Sequence, residues 1–205
     1  MTTTTGTGKY EQLLERCLTL EPVPTAVAHP CEASALAGAV EAGAKGLIVP
    51  ILVGPKAKID EIATKNGIDL SKSRIVDAAH SQDSAAKAVE LVRHGEAELL
   101  MKGSLHTDEL LSAVVARETG LRTGRRISHV FIMDVPTYHK VLVVTDAAIN
   151  IAPALEDKMH ICQNAIDLAL ALGVTKPKVA ILAAVETVTT KMPATIDAAA
   201  LCKMA

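Results

Sequence analysis

The sequence predicts an α/β fold built on mostly parallel sheets that are flanked by helices. Short apolar runs alternate with segments whose apolar residues recur at helical spacing, which is typical of parallel strands joined by crossover helices. The run 141–144 is apolar at every position, as expected of a strand covered on both faces. A chain of 205 residues with 49% hydrophobic content is long enough for one large or two small domains.

The elements alternate regularly up to residue 101. The spacing of apolar residues predicts helices over residues 9–20, 32–42, 56–66 and 81–94. Between them, short apolar runs predict strands over residues 25–28, 47–53, 74–76 and 97–101. One more helix should follow the last of these strands, because helical spacing recurs at Leu110, Leu111, Val114 and Val115.

The second half of the chain is less regular. Strands are predicted over 127–133 and 141–144, and the short link between them contains Pro136, so they should pair antiparallel and give a mixed sheet. Pro153 is expected to start a helix that continues over 155–172 and ends at Gly173. A strand over 179–184 and a helix beginning near Ile196 complete the prediction.

The loop 101–107 has the composition of a phosphate-binding loop. It lies between a predicted strand and a predicted helix, and in open α/β sheets ligands bind at such strand ends. It carries one cation, one glycine, two hydroxyls and one imidazole: Lys102, Gly103, Ser104, Thr107 and His106. The glycine would let the backbone approach a ligand closely, and the free amides of the following helix would attract an anion.

An ordinary capped turn between strand and helix remains the alternative for this loop. Thr107 is expected to cap the helix, which needs no ligand. Asp108 and Glu109 suit the helix dipole themselves and would repel a phosphate, so Lys102 and the hydroxyls would have to outweigh them.

A second polar cluster follows the predicted strand 141–144. Thr145 and Asp146 come directly after the strand, and Asn150 lies four residues beyond the aspartate. Asp146 alone could be a turn or capping carboxylate. Two polar strand ends in one chain nevertheless make a ligand cleft more plausible than either does alone.

These segments together resemble the phosphate acetyl/butyryltransferase family. The resemblance covers most of the chain from about Thr25 and rests on Met-Lys-Gly-Ser-Leu-His-Thr at 101–107 and Thr-Asp-Ala-Ala-Ile-Asn-Ile-Ala-Pro at 145–153. It continues through the segments 120–124, 127–131, 178–186 and 191–195. The last segments resemble the butyryl-type branch, and the form fused to enoyl-CoA hydratase, more than the acetyl-specific branch.

The resemblance implies a cytoplasmic acyltransferase that transfers a short acyl group between coenzyme A and phosphate, with coenzyme A as a substrate and no cofactor. It implies an isocitrate-dehydrogenase-like architecture of two α/β domains, here 1–150 and an incomplete 151–205, and a homodimer. Family members are longer and carry a serine-arginine segment with a nearby aspartate in their C-terminal part. Because the helix near Ile196 reaches Ala205 with no glycine or proline to end it, the chain is expected to be truncated, a natural fraying terminus being the alternative.

Residue chemistry and motif position assign the binding roles. Lys102 is expected to neutralise phosphate, while Ser104, Thr107 and the amides near Gly103 hydrogen-bond it. Asp146 and Asn150 are expected to orient their loop or to contact substrate. The catalytic residues remain unassigned, since the base is expected in the missing part, although Asp146 is a candidate.

Composition argues against several other classes of protein. The formal charge is −2 with interspersed signs, and the only aromatic residues are two tyrosines and one phenylalanine, so a nucleic-acid partner is not expected. No apolar stretch is long enough to span a membrane and no signal peptide is recognisable, which predicts a cytoplasmic protein. The four cysteines and seven histidines show no ligand spacing, so no metal is expected.

Two alternatives remain open. A related dehydrogenase would need a nicotinamide cofactor and a divalent metal, but the chain has no GxGxxG loop and no cluster of aspartates. A non-catalytic module that binds coenzyme A or phosphate, or that serves oligomerisation, would bind without turnover.

Overall fold

The structure of the chain is a computed structural model that describes residues 8–204. The chain divides into two compact units between Arg122 and Thr123, called here the first and the second unit. The boundary near residue 150 implied by the family resemblance falls inside the second unit and stays a prediction. The predicted α/β class with a mostly parallel sheet is confirmed.

The first unit contains the regular alternation that the sequence predicts. Its four strands form one parallel sheet in the order β3-β2-β1-β4. The strands are β1 (Val23–Ala28), β2 (Ile48–Gly54), β3 (Arg74–Asp77) and β4 (Leu99–Lys102). The helices are α1 (Lys9–Cys17), α2 (Ala33–Ala44), α3 (Lys56–Asn66), α4 (Ser81–Arg93) and α5 (Thr107–Val114).

Helices cover both faces of this sheet. Because successive side chains of a strand point to opposite faces, Val27 packs with Leu36 of α2 and Ile59 of α3. The neighbouring residue Ala28 packs on the other face with Ala85 of α4 and Leu110 of α5. The result is a three-layer sandwich whose core consists almost entirely of small and branched aliphatic side chains.

The strand order creates a crevice at one edge of the sheet. Strand β2 pairs with one edge of β1, and α2, which connects these two strands, packs on one face of the sheet. Strand β4 pairs with the other edge of β1, and α4, which precedes β4, packs on the opposite face. Such a reversal separates the loops that leave the two strands, and it is the usual ligand position in this class of fold. Ala28 and Lys102, the last residues of β1 and β4, are register partners at this point.

The second unit differs from the prediction in its sheet. Strands β5 (Val130–Met133) and β6 (Leu142–Thr145) pair antiparallel, as predicted, but they form a separate two-stranded sheet rather than part of a mixed one. The predicted strand 179–184 does not form, and Leu182 within it is 85% exposed. An apolar run becomes a strand only when another strand pairs with it, and none does among residues 8–204.

Two helices complete the second unit. Helix α6 (Leu155–Ala171) begins two residues after Pro153, and the Asp157 carboxylate accepts a hydrogen bond from the Ala154 amide at 3.0 Å. Helix α7 (Pro193–Met204) begins three residues before Ile196, because proline is well suited to the first helical position. No helix within residues 8–204 combines the length and apolar character needed to cross a bilayer.

Truncating a central side chain should destabilise the first unit. Leu52 of β2 is fully buried, so Leu52→Ala should lower the free energy of unfolding by about 2–5 kcal/mol through lost burial and a residual cavity. Leu99 of β4 is 49% exposed and provides the matched control, since Leu99→Ala should cost far less. Urea denaturation followed by circular dichroism measures both, and equal losses would contradict this description of the core.

Candidate functional site

Hydrogen bonds fasten the loop after β4 to the loop after β1. The Gly103 amide donates to the Ala28 carbonyl at 2.8 Å, and the Ser104 amide donates to the His29 carbonyl at 2.9 Å. The Ser104 hydroxyl donates to the same His29 carbonyl at 2.8 Å and accepts from the Cys31 amide at 3.1 Å. These bonds among Ala28, His29, Cys31, Gly103 and Ser104 are called here the β1–β4 clasp. Ser104 therefore holds the loop through its hydroxyl.

Gly103 is required by the close approach of two backbones. A Cβ atom at this position would lie 2.5 Å from the Ala28 oxygen and 2.6 Å from the His29 oxygen. Contacts this short with backbone atoms cannot be relieved by a rotamer change. The sequence predicted a glycine that lets a ligand approach, and the structure shows one that lets β1 approach.

The ammonium group of Lys102 donates hydrogen bonds to two carbonyls of its own loop. The Nζ atom donates to the Leu105 carbonyl at 2.8 Å and to the Gly103 carbonyl at 3.2 Å. An ammonium group has three N–H donors, so one remains for an anion. The side chain is exposed, which leaves this donor open to solvent and ligand.

The start of α5 differs from the prediction in its cap. His106 is the N-cap residue and Thr107 is already the first helical residue, so the predicted capping by Thr107 is wrong. The Glu109 carboxylate accepts from the His106 backbone amide at 3.0 Å, from the Ser81 hydroxyl at 2.7 Å and from the Gln82 side-chain Nε2 at 2.5 Å. The bond from Ser81 is the main cause that lowers the pKa of Glu109. The negative charge of Glu109 is therefore already hydrogen-bonded to groups at the starts of α4 and α5.

His29 belongs to the same edge, although the sequence marked it only as one of several dispersed histidines. Its backbone is left-handed, with φ 53°, and its amide donates to the Val53 carbonyl at 2.7 Å. Its Nδ1 atom lies 3.1 Å from the hydroxyl of the fully buried Ser84. Burial, helped by the charge of Lys58, lowers the pKa of His29. The signal available in the sequence was a histidine directly after a buried strand.

Cys31 has no feature of a nucleophile. It is only 4% exposed, and burial raises the pKa of its thiol, although the charge of Lys58 acts in the opposite direction. Its amide serves the β1–β4 clasp. A buried thiol with a raised pKa is a poor source of thiolate.

A shallow groove of about 510 Å³ lies at the ends of β2 and β3. Its cation, Lys56, pairs with Asp60 at 2.7 Å, and the Lys56 amide donates to the Asp77 carboxylate at 2.8 Å. The groove is thus lined by groups that already satisfy each other. The loop after β4 has the more suitable chemistry for an anion.

In the second unit, Asp146 organises the loop after β6. Its carboxylate accepts from the amides of Ala148 and Ile149 at 3.0 Å and from the amide of Asn150 at 3.1 Å. The Asn150 side-chain amide also donates to Asp146, and to the Ile127 carbonyl at 3.0 Å. This geometry orients the loop, which is one of the two roles expected for these residues.

The pKa of Asp146 falls to about 2. Burial acts to raise it, but the backbone hydrogen bonds from Ala148 and Ile149 and those from Asn150 outweigh burial and stabilise the carboxylate. A carboxylate with so low a pKa holds a proton poorly at neutral pH. This argues against Asp146 as the catalytic base.

Arg126 connects this loop to α6, a contact that the sequence did not predict. Its Nε atom donates to the Asn150 side chain at 2.8 Å, and its Nη1 atom lies 3.3 Å from Asp157. Its amide donates to Nδ1 of His160 at 3.1 Å. The only signal in the sequence was an arginine pair shortly before β5.

Thr145 completes the loop by donating from its hydroxyl to the His129 carbonyl at 2.6 Å.

The predicted site residues therefore fall into two groups. Lys102, Gly103, Ser104, His106 and Thr107 lie together at the strand edge of the first unit. Another group, consisting of Thr145, Asp146 and Asn150, lies in one loop of the second unit. Within residues 8–204, no three potential metal ligands converge.

Replacing Gly103 should disrupt the clasp. We expect Gly103→Ala to lower the free energy of unfolding by more than about 1 kcal/mol, because the methyl group would collide with two carbonyls. Gly38 of α2 is the matched control: a Cβ there meets nothing within 4 Å, so Gly38→Ala should stabilise by about 0.5–1 kcal/mol. Urea denaturation of both variants tests the difference in sign, and a Gly103→Ala protein as stable as the wild type would count against the clasp.

The contribution of Asp146 to stability should depend on pH. The folded pKa of Asp146 is depressed, so its stabilisation is fully present above the unfolded value of about 3.9 and is lost as pH falls toward 2. Asp146→Asn should therefore be less stable than wild type at pH 7, and the gap should narrow between pH 4 and 2. Denaturation at each pH measures the gap, with exposed Glu118→Gln as the control. A gap that is constant over this range would refute the assignment.

Comparison with known proteins identifies the family. Residues 79–205 match the family described as "Phosphate acetyl/butaryl transferase". The chain is 59% identical over 198 residues to the phosphate acetyltransferase of Rhizobium meliloti, covering 97% of this chain and 63% of that protein. It is 37% identical over 195 residues to the phosphate butyryltransferase of Clostridium acetobutylicum, covering 95% and 65% respectively.

A solved structure agrees with this result. The branched-chain phosphotransacylase from Enterococcus faecalis V583 superimposes with a TM-score of 0.72 at 27% identity, covering 89% of this chain and 63% of that one. The chain thus spans less than two thirds of the length of each of these three proteins. From the family match and the identities to its members, this chain belongs to the phosphate acetyl/butyryl transferase family.

Proposed function

We propose that this chain is part of a phosphate acyltransferase, which transfers a short acyl group reversibly between coenzyme A and inorganic phosphate. The observation that carries the proposal is the 59% identity, over 97% of the chain, to a phosphate acetyltransferase. The strand edge of the first unit supports it independently, since the exposed ammonium group of Lys102 suits a phosphate group.

In the proposed reaction the thiol of coenzyme A loses its proton to a base, and the thiolate attacks the carbonyl carbon of an acyl phosphate. A carbon–sulfur bond forms, the carbon–oxygen bond to the phosphoryl group breaks, and phosphate leaves with that oxygen. Binding both substrates together supplies much of the rate, and cationic and N–H donors stabilise the charge on the phosphate. The base is left unassigned, because the low pKa of Asp146 argues against it.

The phosphate would be bound at the start of α5. Lys102 contributes its third N–H donor, and Thr107 contributes a hydroxyl in the first turn. Ser104 and Gly103 contribute mainly by holding the loop against β1, since the Ser104 hydroxyl is used in the clasp. His106 lies exposed at the cap position, within reach of the same edge.

Acyl transfer is tested by fusing this chain to the C-terminal third of the Rhizobium meliloti relative. The fusion should release free thiol from acetyl-CoA when phosphate is added. The chain alone should release little or none, because the family resemblance places a serine-arginine segment in that third. The C-terminal third by itself serves as the control. Binding of coenzyme A by an inactive fusion would favour the non-catalytic module.

The acyl preference is a separate prediction. The segment 185–193 resembles the butyryl-type branch, whereas the identity is higher to the acetyltransferase. Val188 is 63% exposed, and if it lines a dry acyl pocket, two extra methylenes at about 0.8 kcal/mol each should favour butyryl-CoA by about tenfold. Comparing kcat/KM for acetyl-CoA and butyryl-CoA on the fusion decides this. A clear preference for acetyl-CoA would exclude the segment from the pocket.

Removal of the loop cation should weaken phosphate binding. We expect Lys102→Met to raise the Kd for inorganic phosphate about tenfold to a hundredfold, because a charge-assisted hydrogen bond contributes about 1.5–3 kcal/mol. Binding of coenzyme A should change much less. Lys72 is an exposed lysine in the same unit, so Lys72→Met is the control. Isothermal titration measures these affinities, and equal phosphate affinity in wild type and Lys102→Met would make Lys102 a solvated surface charge.

A cytoplasmic location and a homodimer belong to the same proposal. Four apolar side chains on one face of the β5–β6 sheet remain between 38% and 47% exposed, namely Phe131, Met133 and their register partners Val144 and Leu142. Contiguous apolar surface of this kind is typical of a face that another polypeptide covers. Light scattering of the purified chain tests the dimer.

A further inference from the structure

Several hydrogen bonds hold the backbone of His29. Its amide donates to Val53, and its carbonyl accepts from the Ser104 amide, the Ser104 hydroxyl and the Cys31 amide. The backbone is nevertheless left-handed at φ 53°, a conformation that costs energy for a residue with a side chain. Backbone strain that surrounding hydrogen bonds maintain is characteristic of functional positions, where the strained backbone sets the direction of a side chain.

The hydrogen bonds of Ser84 fix which ring nitrogen of His29 carries the proton. The Ser84 hydroxyl has one proton, and it donates this to the His80 carbonyl at 2.7 Å, since a carbonyl can only accept. The contact of 3.1 Å between Ser84 and Nδ1 of His29 must therefore be donated by the imidazole. In a neutral imidazole this leaves Nε2 with a lone pair and no proton.

The Nε2 atom of His29 makes no hydrogen bond within the described part of the chain. The ring is only partly buried, at the crevice between the carboxyl ends of β1 and β4, and the backbone of His29 carries the loop that contains Lys102. The paired ends of β1 and β4 thus carry, on adjacent loops, the cation of Lys102 and an imidazole nitrogen of His29 that can only accept a hydrogen bond.

We propose that Nε2 of His29 accepts a hydrogen bond from the protonated oxygen of bound hydrogen phosphate and thereby selects phosphate over sulfate. Phosphate carries at least one proton throughout the neutral pH range, whereas sulfate carries none. A sulfate oxygen would place its lone pair against that of Nε2 and leave the imidazole without a partner. This inference rests on the proposed function, because it assigns the phosphate to the same loop.

The sign of the pH dependence follows from the surroundings of His29. Burial foremost, then the charges of Lys58 on α3 and of His80 before α4, lower its pKa, while Glu109 on α5 acts to raise it. Lys102, at the end of β4, directs its ammonium to the carbonyls of its own loop. His29 is thus neutral at pH 7. When it becomes protonated in acid, Nε2 turns into a donor and the discrimination against sulfate should disappear.

The test compares phosphate and sulfate affinities of the 205-residue chain by isothermal titration. Wild type should prefer phosphate by about 10- to 100-fold at pH 7, because a bound sulfate would cover Nε2 without giving it a hydrogen-bond partner, and the ratio should fall toward one well below pH 6.5. His29→Asn should lower the ratio to near one at pH 7. Asparagine tolerates the left-handed backbone and keeps a donor for Ser84, but it lacks Nε2. His94→Gln, at the other end of α4, should leave the ratio unchanged.

Nitrogen NMR of the imidazole provides a second measurement on the wild-type chain, which needs no variant to fold. The His29 ring should be protonated at Nδ1, and its Nε2 resonance should move when inorganic phosphate is added but not when sulfate is added. A ring protonated at Nε2, or an unmoved resonance, would overturn the inference. If phosphate binds and requires Lys102 but the phosphate-to-sulfate ratio is the same in His29→Asn, only the inference fails. If the chain binds no phosphate, the phosphate site of the proposed function fails with it.

Discussion

The close approach of Gly103 to the end of β1 is the contact on which the arrangement of the loop after β4 depends. Without a Cβ at this position, the amides of Gly103 and Ser104 reach the carbonyls of Ala28 and His29, and the serine hydroxyl can bridge to Cys31. The loop that carries Lys102 is thereby attached to β1, whose last four residues are buried. These hydrogen bonds hold the loop in one position, and such preorganisation favours the binding of a small anion.

The two polar loops use their side chains in different ways. In the first unit the β1–β4 clasp holds the loop through backbone groups and the Ser104 hydroxyl, and it does not use the side chains of Lys102 and Thr107. In the second unit the carboxylate of Asp146 itself holds the loop, and its hydrogen-bonding capacity is largely used in doing so. A polar residue in a motif can therefore serve the loop or the ligand, and only the three-dimensional structure separates the two.

The sequence predicted the first unit well because each element carries its own signal. The apolar period of β1 and α4, and glycine at the end of α3, act over a few residues and are visible without tertiary information. The strand predicted over 179–184 failed because a strand also needs a neighbour, which no local pattern reveals. His29 was overlooked for the same reason, since its partner Ser84 lies 55 residues away. Lys102 and Asp146 could be proposed from the sequence because each lies at the end of an apolar run.

The aliphatic core has an optical consequence. The chain has no tryptophan, and its two tyrosines, Tyr10 in the first unit and Tyr138 in the second, are 56% and 40% exposed. Their emission should change little when the protein unfolds, because both are already solvated in the folded state. A single tryptophan in place of Phe131 or Tyr10 would therefore report the unfolding of one unit, with little interfering fluorescence from the rest of the chain. Fluorescence could then show whether the two units unfold together or one after the other.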